Sequence, residues 1–179
     1  KNKQQYNTII DLKDNSEKIT NPEYQILSNK NWYGSLYYKI FTIDKGKNKI
    51  HFLFGWDGYN TTNNRRIIDV INFKNDTIQF GKKIFKETDN IKSRVILTYN
   101  EKTSINLRYD SKKKSILFDN LNMTKNDKTN SSILIPDGSS NAYEYKNKFF
   151  KLINNVEVKN QKSQKKPRIR KINKGLFPK

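Results

Sequence analysis

The chain contains no cysteine, which removes disulfides, thiol nucleophiles and thiolate metal sites and leaves the redox compartment open. Its single histidine, His51, excludes any site that needs two imidazoles. Seven glycines and four prolines in 179 residues are too few for a fibrous or linker-rich chain. No apolar run approaches the roughly 18 residues of a membrane-spanning helix; the longest lies near Ile50 to Trp56. The first residue is Lys1 rather than Met, an opening consistent with a removed leader or an upstream segment.

What the chain does have is aromatic side chains and positive charge. Apolar residues make up 34% and charged residues 30%, a balance close to that of disordered chains. Ten Tyr, ten Phe and two Trp change that reading, because each ring buries a large area and lets a small apolar fraction build one core. The length suits one domain.

The net charge of +19 points to an anionic partner. Six of the 36 basic residues are arginine (65, 66, 94, 108, 168 and 170), leaving 30 lysines. With abundant Asn and Ile, that is the composition an AT-rich genome writes on a drifting surface. Readers of phosphate and bases favour the planar guanidinium fork, which is scarce here. A drifted, solvated surface and a selected anion-binding face both fit.

Residues 1–21 form a polar lead-in, with Ile9, Ile10, Leu12 and Ile19 too sparse for more than a helical turn near Ser16 to Ile19. From Trp32 the pattern alternates. Strands are expected over Trp32 to Ile43, Lys49 to Trp56, Arg66 to Phe73, Thr77 to Phe85, Arg94 to Tyr99, Ser104 to Tyr109 and Ser115 to Asp119. Closing strands follow at Ile133 to Ile135, Ala142 to Tyr145 and Phe149 to Ile153, with turns at Asp57-Gly58, Asp110 to Lys113, Pro136 to Gly138 and Lys146-Asn147. Ile50, Phe52 and Phe54 share one strand face and His51, Leu53 and Gly55 the other, the pattern of a central strand. Ile105, Leu107 and Tyr109 alternate with Ser104, Asn106 and Arg108, one face buried and one wet. The fold class is mainly β, an antiparallel meander forming a sandwich, an open barrel or a propeller-like sheet. A β domain is expected over 22–158 and a basic tail over 159–179. That tail holds nine basic residues and no acidic one, so residues 1–158 still carry +10.

Gly55-Trp56-Asp57-Gly58-Tyr59 is the most site-like stretch. An aromatic beside a carboxylate on a turn resembles a sugar platform, where the ring stacks on CH groups and the carboxylate takes hydroxyls. Trp32, Tyr33 and Tyr37 would widen it, and Arg65 would join Trp32, Trp56, Asp57 and Tyr59 in one recognition face. The plainer reading is a tight turn whose Trp caps the core. Asp137 would supply a second carboxylate for glycan hydrolysis if it shared a cleft with Asp57; the plainer reading is another turn. His51 sits mid-strand and reads as structural. No metal or cofactor set emerges. The tail run Lys165, Lys166, Arg168, Arg170 and Lys171 would contact nucleic acid or lipid headgroups, or serve simply as a solvated end.

Four stretches carry a family resemblance: Trp32 to Ile40 (WYGSLYYKI), Gly55 to Gly58 (GWDG), Leu107 to Asp110 with Ile116 to Asp119 (LRYD and ILFD), and Pro136 to Ser139 (PDGS). In this order and spacing, over about residues 22–158, the chain resembles an uncharacterised protein family of Bacteroidota exported to the cell envelope. Relatives of that kind carry additional N-terminal sequence. The resemblance implies a periplasmic or outer-membrane-associated location and no catalytic residues. The expected function is a non-enzymatic binding or scaffold module contacting an envelope protein complex or cell-wall glycan. The rivals are nucleic-acid binding through the tail and glycan hydrolysis by paired carboxylates.

Overall fold

The alternation that begins near Trp32 becomes twelve strands in the computed structural model, which describes residues 9–45, 48–74, 77–125 and 132–157. They are β1 (Leu27–Ser28), β2 (Leu36–Lys45), β3 (Asn48–Asp57), β4 (Asn63–Lys74), β5 (Thr77–Phe80), β6 (Phe85–Glu87), β7 (Asn90–Lys92), β8 (Val95–Asn100), β9 (Leu107–Asp110), β10 (Ser115–Lys125), β11 (Ser132–Lys146) and β12 (Phe149–Ile153). Helix is limited, among the described residues, to three-residue 3₁₀ turns at Ser16–Lys18, Pro22–Tyr24 and Asn29–Asn31. None of these is long and apolar enough to cross a membrane.

One sheet runs β1-β5-β4-β3-β2, with β8 paired to the first half of β4; the other runs β7-β6-β12-β11-β10-β9. Every pairing is antiparallel except that of β12 with β6. Of the three expected architectures the chain adopts the sandwich. Ile50, Phe52 and Phe54 of β3 and Ile68 and Val70 of β4 meet Phe85, Ile116, Phe118, Tyr143 and Phe150 of the second sheet. Phe52 packs edge-on against Phe150 at 5.0 Å between ring centres, and Phe41 stacks on Tyr109 at 4.3 Å. Each fully buried ring contributes about 1.5–3 kcal/mol, which is how so few apolar residues hold the fold.

The opposite face of β3 and β4 is covered as well. Leu53, Ile67 and Phe80 pack beneath Leu27 and Tyr33, with Ile19 and Trp32 at the margin. The lead-in is therefore sewn onto this face. Lys13 N–H donates to Asn29 O at 2.7 Å, Trp32 N–H to Lys13 O at 2.9 Å and Asn15 N–H to Trp32 O at 3.0 Å.

Three local expectations change. Trp32 to Ser35 precede β2, because they belong to this strap. The expected strand Thr77 to Phe85 breaks at Gly81, whose φ of +93° is glycine territory. Pro136 to Gly138 is no turn. Those residues lie inside the fifteen-residue β11, where Asp137, Gly138 and Ser139 bulge opposite the single residue Asn120. Proline is tolerated there because β12 pairs only with Ala142 to Lys146, leaving that stretch of β11 with one free side.

Strap and sheet are locked by a buried charge pair. Arg94 Nε donates to Asp69 Oδ2 at 3.1 Å, both side chains fully buried. Arg94 also donates to the carbonyls of Phe80 (3.0 Å), Gln25 (3.1 Å) and Pro22. Asp69 accepts Val70 N–H at 2.8 Å and the Tyr37 hydroxyl at 3.1 Å. Burial pushes the Asp69 carboxyl above its ordinary value, and Arg94 with these donors pulls it back.

Replacing Arg94 with Met should cost about 3–5 kcal/mol, since it strands a buried carboxylate and three carbonyls; Arg94→Lys should recover only part. Gly81→Ala should also destabilise, by about 1–3 kcal/mol, because its Cβ would lie 2.9 Å from both Arg94 Nη2 and Gln25 O. Urea denaturation measures each, and a loss below about 1 kcal/mol for Arg94→Met would show the lock to be dispensable.

Candidate functional site

The sequence gathered Trp32, Trp56, Asp57, Tyr59 and Arg65 into one face. The structure divides them. Strand β3 keeps its register with β4 through Trp56–Arg66 and Asp57–Arg65, so Asp57 stays in the strand instead of entering the turn. Consecutive strand residues point to opposite faces. Trp56 and Asp57 therefore cannot act as one ring-and-carboxylate platform.

On the strap side, three expected residues do come together. Arg65 Nη1 lies 3.9 Å from Asp57 Oδ2 and donates to the Tyr33 hydroxyl at 2.6 Å. Its guanidinium sits 3.1 Å from the centre of the Tyr59 ring. Asp14 approaches the group, accepting Ser16 N–H at 2.9 Å and Gly34 N–H at 3.2 Å. A Cβ on Gly34 would fall 1.9 Å from the Asp14 carboxylate, so any larger residue there displaces Asp14 from its bond to Gly34 N–H. Burial raises the Asp57 carboxyl, Arg65 opposes this, and Asp14 adds to it. Burial also raises the Tyr33 hydroxyl. Asp14 itself lies below its ordinary value: desolvation acts upward, but the bonds from Ser16 and Gly34 outweigh it.

On the opposite face, Leu36, Trp56 and Arg66 stand side by side across β2, β3 and β4. Tyr38 occupies an irregularity in β2, and Arg66 lies 5.1 Å from its ring centre. Leu36 is 67% exposed and Tyr38 46%, beside a half-buried Trp56.

Trp32 belongs to neither group. Its indole N–H donates to the Tyr37 hydroxyl at 3.3 Å, and its ring packs on Tyr37 and Phe80 as part of the strap's seal. His51 faces Thr42 across the hairpin at 2.8 Å. Asp137 is exposed on the β11 bulge, on the other sheet from Asp57. It accepts from the Ser139 hydroxyl (2.7 Å), Ser139 N–H (2.8 Å) and Asn120 Nδ2 (2.7 Å). Those bonds, the Ser139 hydroxyl foremost, hold its carboxyl below the ordinary value. Each of the two carboxylates is thus taken up by its own neighbours. Lys165, Lys166, Arg168, Arg170 and Lys171 lie outside the described residues. Among the described residues no three His, Asp or Glu gather as a metal site would need.

One surface escaped the sequence reading. On the outer face of the second sheet a cavity of about 520 Å³ is lined by Asn106, Arg108, Leu117, Asp119 and Ser140. A second of about 470 Å³ shares Arg108 and Leu117 and continues past Ser115 and Glu144 to Val156. The signal was the wet face of β9, Asn106 with Arg108, which marks a polar surface but not its concavity.

These features define a two-sheet β sandwich with a strap over one outer face and an open polar groove on the other. No family model, curated protein or solved structure matches the chain.

The coupling of Asp14, Asp57 and Arg65 has a measurable sign. A carboxyl raised by folding stabilises below its ordinary value and loses that contribution as pH rises through the raised one; a lowered carboxyl does the reverse, losing it as pH falls. Asp57 and Asp14 therefore oppose each other in acid. In NMR carboxyl titrations Asp14→Asn should move Asp57 down and Arg65→Met should move it up. No movement in either variant would mean that the three do not form one electrostatic group.

Proposed function

We propose that this chain is a binding module of the bacterial cell envelope, contacting glycan or protein without catalysing a reaction. The observation that carries the reading is the row of Leu36, Trp56 and Arg66 with Tyr38 beside it at one end of the first sheet, in which Leu36 and Tyr38 are exposed and Trp56 is half-buried. A ring flanked by a guanidinium can stack on the CH face of a sugar or anchor a partner's side chain. Large exposed apolar side chains grouped in this way are characteristic of contact surfaces. The envelope location rests on the four-motif resemblance.

The paired-carboxylate alternative gains nothing from the geometry, since Asp57 and Asp137 stand on different sheets. Nucleic-acid binding retains one specific support, the excess of 27 basic over 17 acidic residues before the tail begins. It requires affinity that falls steeply with added salt and drops when residues 159–179 are removed; flat salt dependence would dismiss it.

Trp56→Ala should weaken binding to insoluble cell-wall glycan, or capture of an envelope protein, by tenfold or more, with the melting temperature little changed. Pull-down from native envelope followed by mass spectrometry identifies the partner, and quantitative binding with the variant tests the surface. Unchanged binding overturns the assignment to this patch.

A further inference from the structure

We propose that the outer edge of β2 takes an extended acidic peptide as an added strand, which names the partner for the contact surface at this end of the first sheet and rests on that reading of it. Strand β2 pairs with β3 alone, so among the described residues its other side carries an unmatched ladder of backbone donors and acceptors over Leu36–Lys45.

Edges that stay single are normally short, charged or covered. Of the four strands that end the two sheets, β1 has two residues, β7 three and β9 four. The six-residue β8 is met by the strap, where the Glu23 carboxylate takes Ile96 N–H at 3.1 Å. Strand β2 runs for ten residues and leaves Leu36, Tyr38 and Ile40 exposed, Ile40 by 64%. The bulge at Tyr38 interrupts the register near one end, and from Lys39 to Asp44 the pairing with β3 is unbroken. A partner strand of about six residues therefore meets a regular template.

Charge selects the occupant. Lys39 is exposed opposite Phe54, and Arg66 reaches across β3 to lie 5.1 Å from the centre of the Tyr38 ring. Neither has a carboxylate partner among the described residues. Asp44 lies at the hairpin end of β2 opposite Lys49, Asp57 belongs to Arg65, and Asp110 of β9 accepts the Lys112 and Lys113 N–H groups. A second copy of the chain would bring Lys39 and a net charge of +19 against the same charges, whereas an acidic strand is drawn in by them. Its carboxylates on the inner face would meet Lys39 and Arg66. Its apolar side chains on the strap face would lie beside Ile40, which stands opposite Leu53. A sugar chain has no amide ladder with which to match this edge.

The test titrates the full chain into a labelled eight-residue peptide of alternating valine and glutamate, read by fluorescence anisotropy. Binding is expected, with none for the valine–lysine counterpart. In an added strand alternate N–H groups face the edge. Methylating all the valine nitrogens of the peptide, or all the glutamate nitrogens, should therefore abolish binding in one case and spare it in the other. Lys39→Glu should weaken binding by about tenfold or more and admit the lysine peptide. Ile40→Thr, a mild change at an exposed position, should also weaken it. Trp56→Ala, one strand in from the edge, should leave it within about twofold, so that a loss in Lys39→Glu belongs to the edge. No binding, equal binding of the two peptides, or equal tolerance of the two methylated forms overturns the proposal. So does a dimer in sedimentation that the peptide dissociates, which would assign the edge to a second copy. Absence of peptide binding beside lost envelope-protein capture in Trp56→Ala would keep the Trp56 surface and remove the edge from it.

Discussion

The sandwich depends on one buried ion pair. Asp69 and Arg94 sit between the first sheet and the strap, and both are removed from solvent. Taking two charges out of water costs several kcal/mol per ion unless every donor and acceptor is matched. Here Arg94 reaches a carboxylate and three carbonyls, and Asp69 accepts from Arg94, Val70 and Tyr37. The geometry is therefore specific more than it is stabilising. Only one placement of Pro22 to Gln25 satisfies that guanidinium, so the pair fixes the strap's register as well as its presence. Glu23 reinforces the position, its carbonyl taking Ser93 N–H at 2.6 Å and its carboxylate Ile96 N–H at 3.1 Å.

The arginines follow from the same logic. In a chain that writes lysine thirty times, six arginines stand out, and at two of the described ones a lysine could not do the same job. An ammonium cannot span Asp69, Phe80 and Gln25 together, as Arg94 does. Nor can it lie flat on a tyrosine ring, as Arg65 does on Tyr59. The scarcity that argued against an anion-reading surface is thus a guide to structural positions. Among the described arginines, Arg108 has no side-chain partner and lines open volume.

Much of the sheet structure was legible because alternation is a local property. Phe52 and Phe54 against Leu53 told correctly of a strand covered on both faces, and Asp110 capping its own turn made the β9–β10 hairpin plain. What alternation does not carry is the identity of the cover. Ile19, Leu27 and Tyr33 are spaced without period because they lie in an irregular strap, whose order comes from long-range hydrogen bonds. Pro136 to Gly138 looked like a turn because bulges and turns draw on the same residues, and only the pairing with Asn120 separates them. The platform around Trp56 failed for a simpler reason. Treating Asp57 as a turn residue removed the alternation that places it opposite the indole.

The two outer faces are unequal, and that asymmetry bears on recognition. The first sheet's outer face is sealed by residues drawn from a strap tied down at Asp14, Trp32 and Arg94. Among the described residues, the second sheet's outer face receives the run after β12, where Asn155 N–H meets Asn141 Oδ1 at 3.1 Å and Val156 N–H meets Ser140 O at 2.8 Å. Val156 and Glu157 of that crossing line one cavity with Arg108 and Ala142, and a second cavity adjoins it between Arg108 and Asp119. A face buried against its own chain needs apolar residues on both sides of its strands, as β3 has. A face left open keeps polar ones, and the alternation in β9 and β10 supplies Asn106, Arg108 and Asp119 there. The strap makes the first sheet's outer face structural, and among the described residues the second sheet's outer face is the more open of the two.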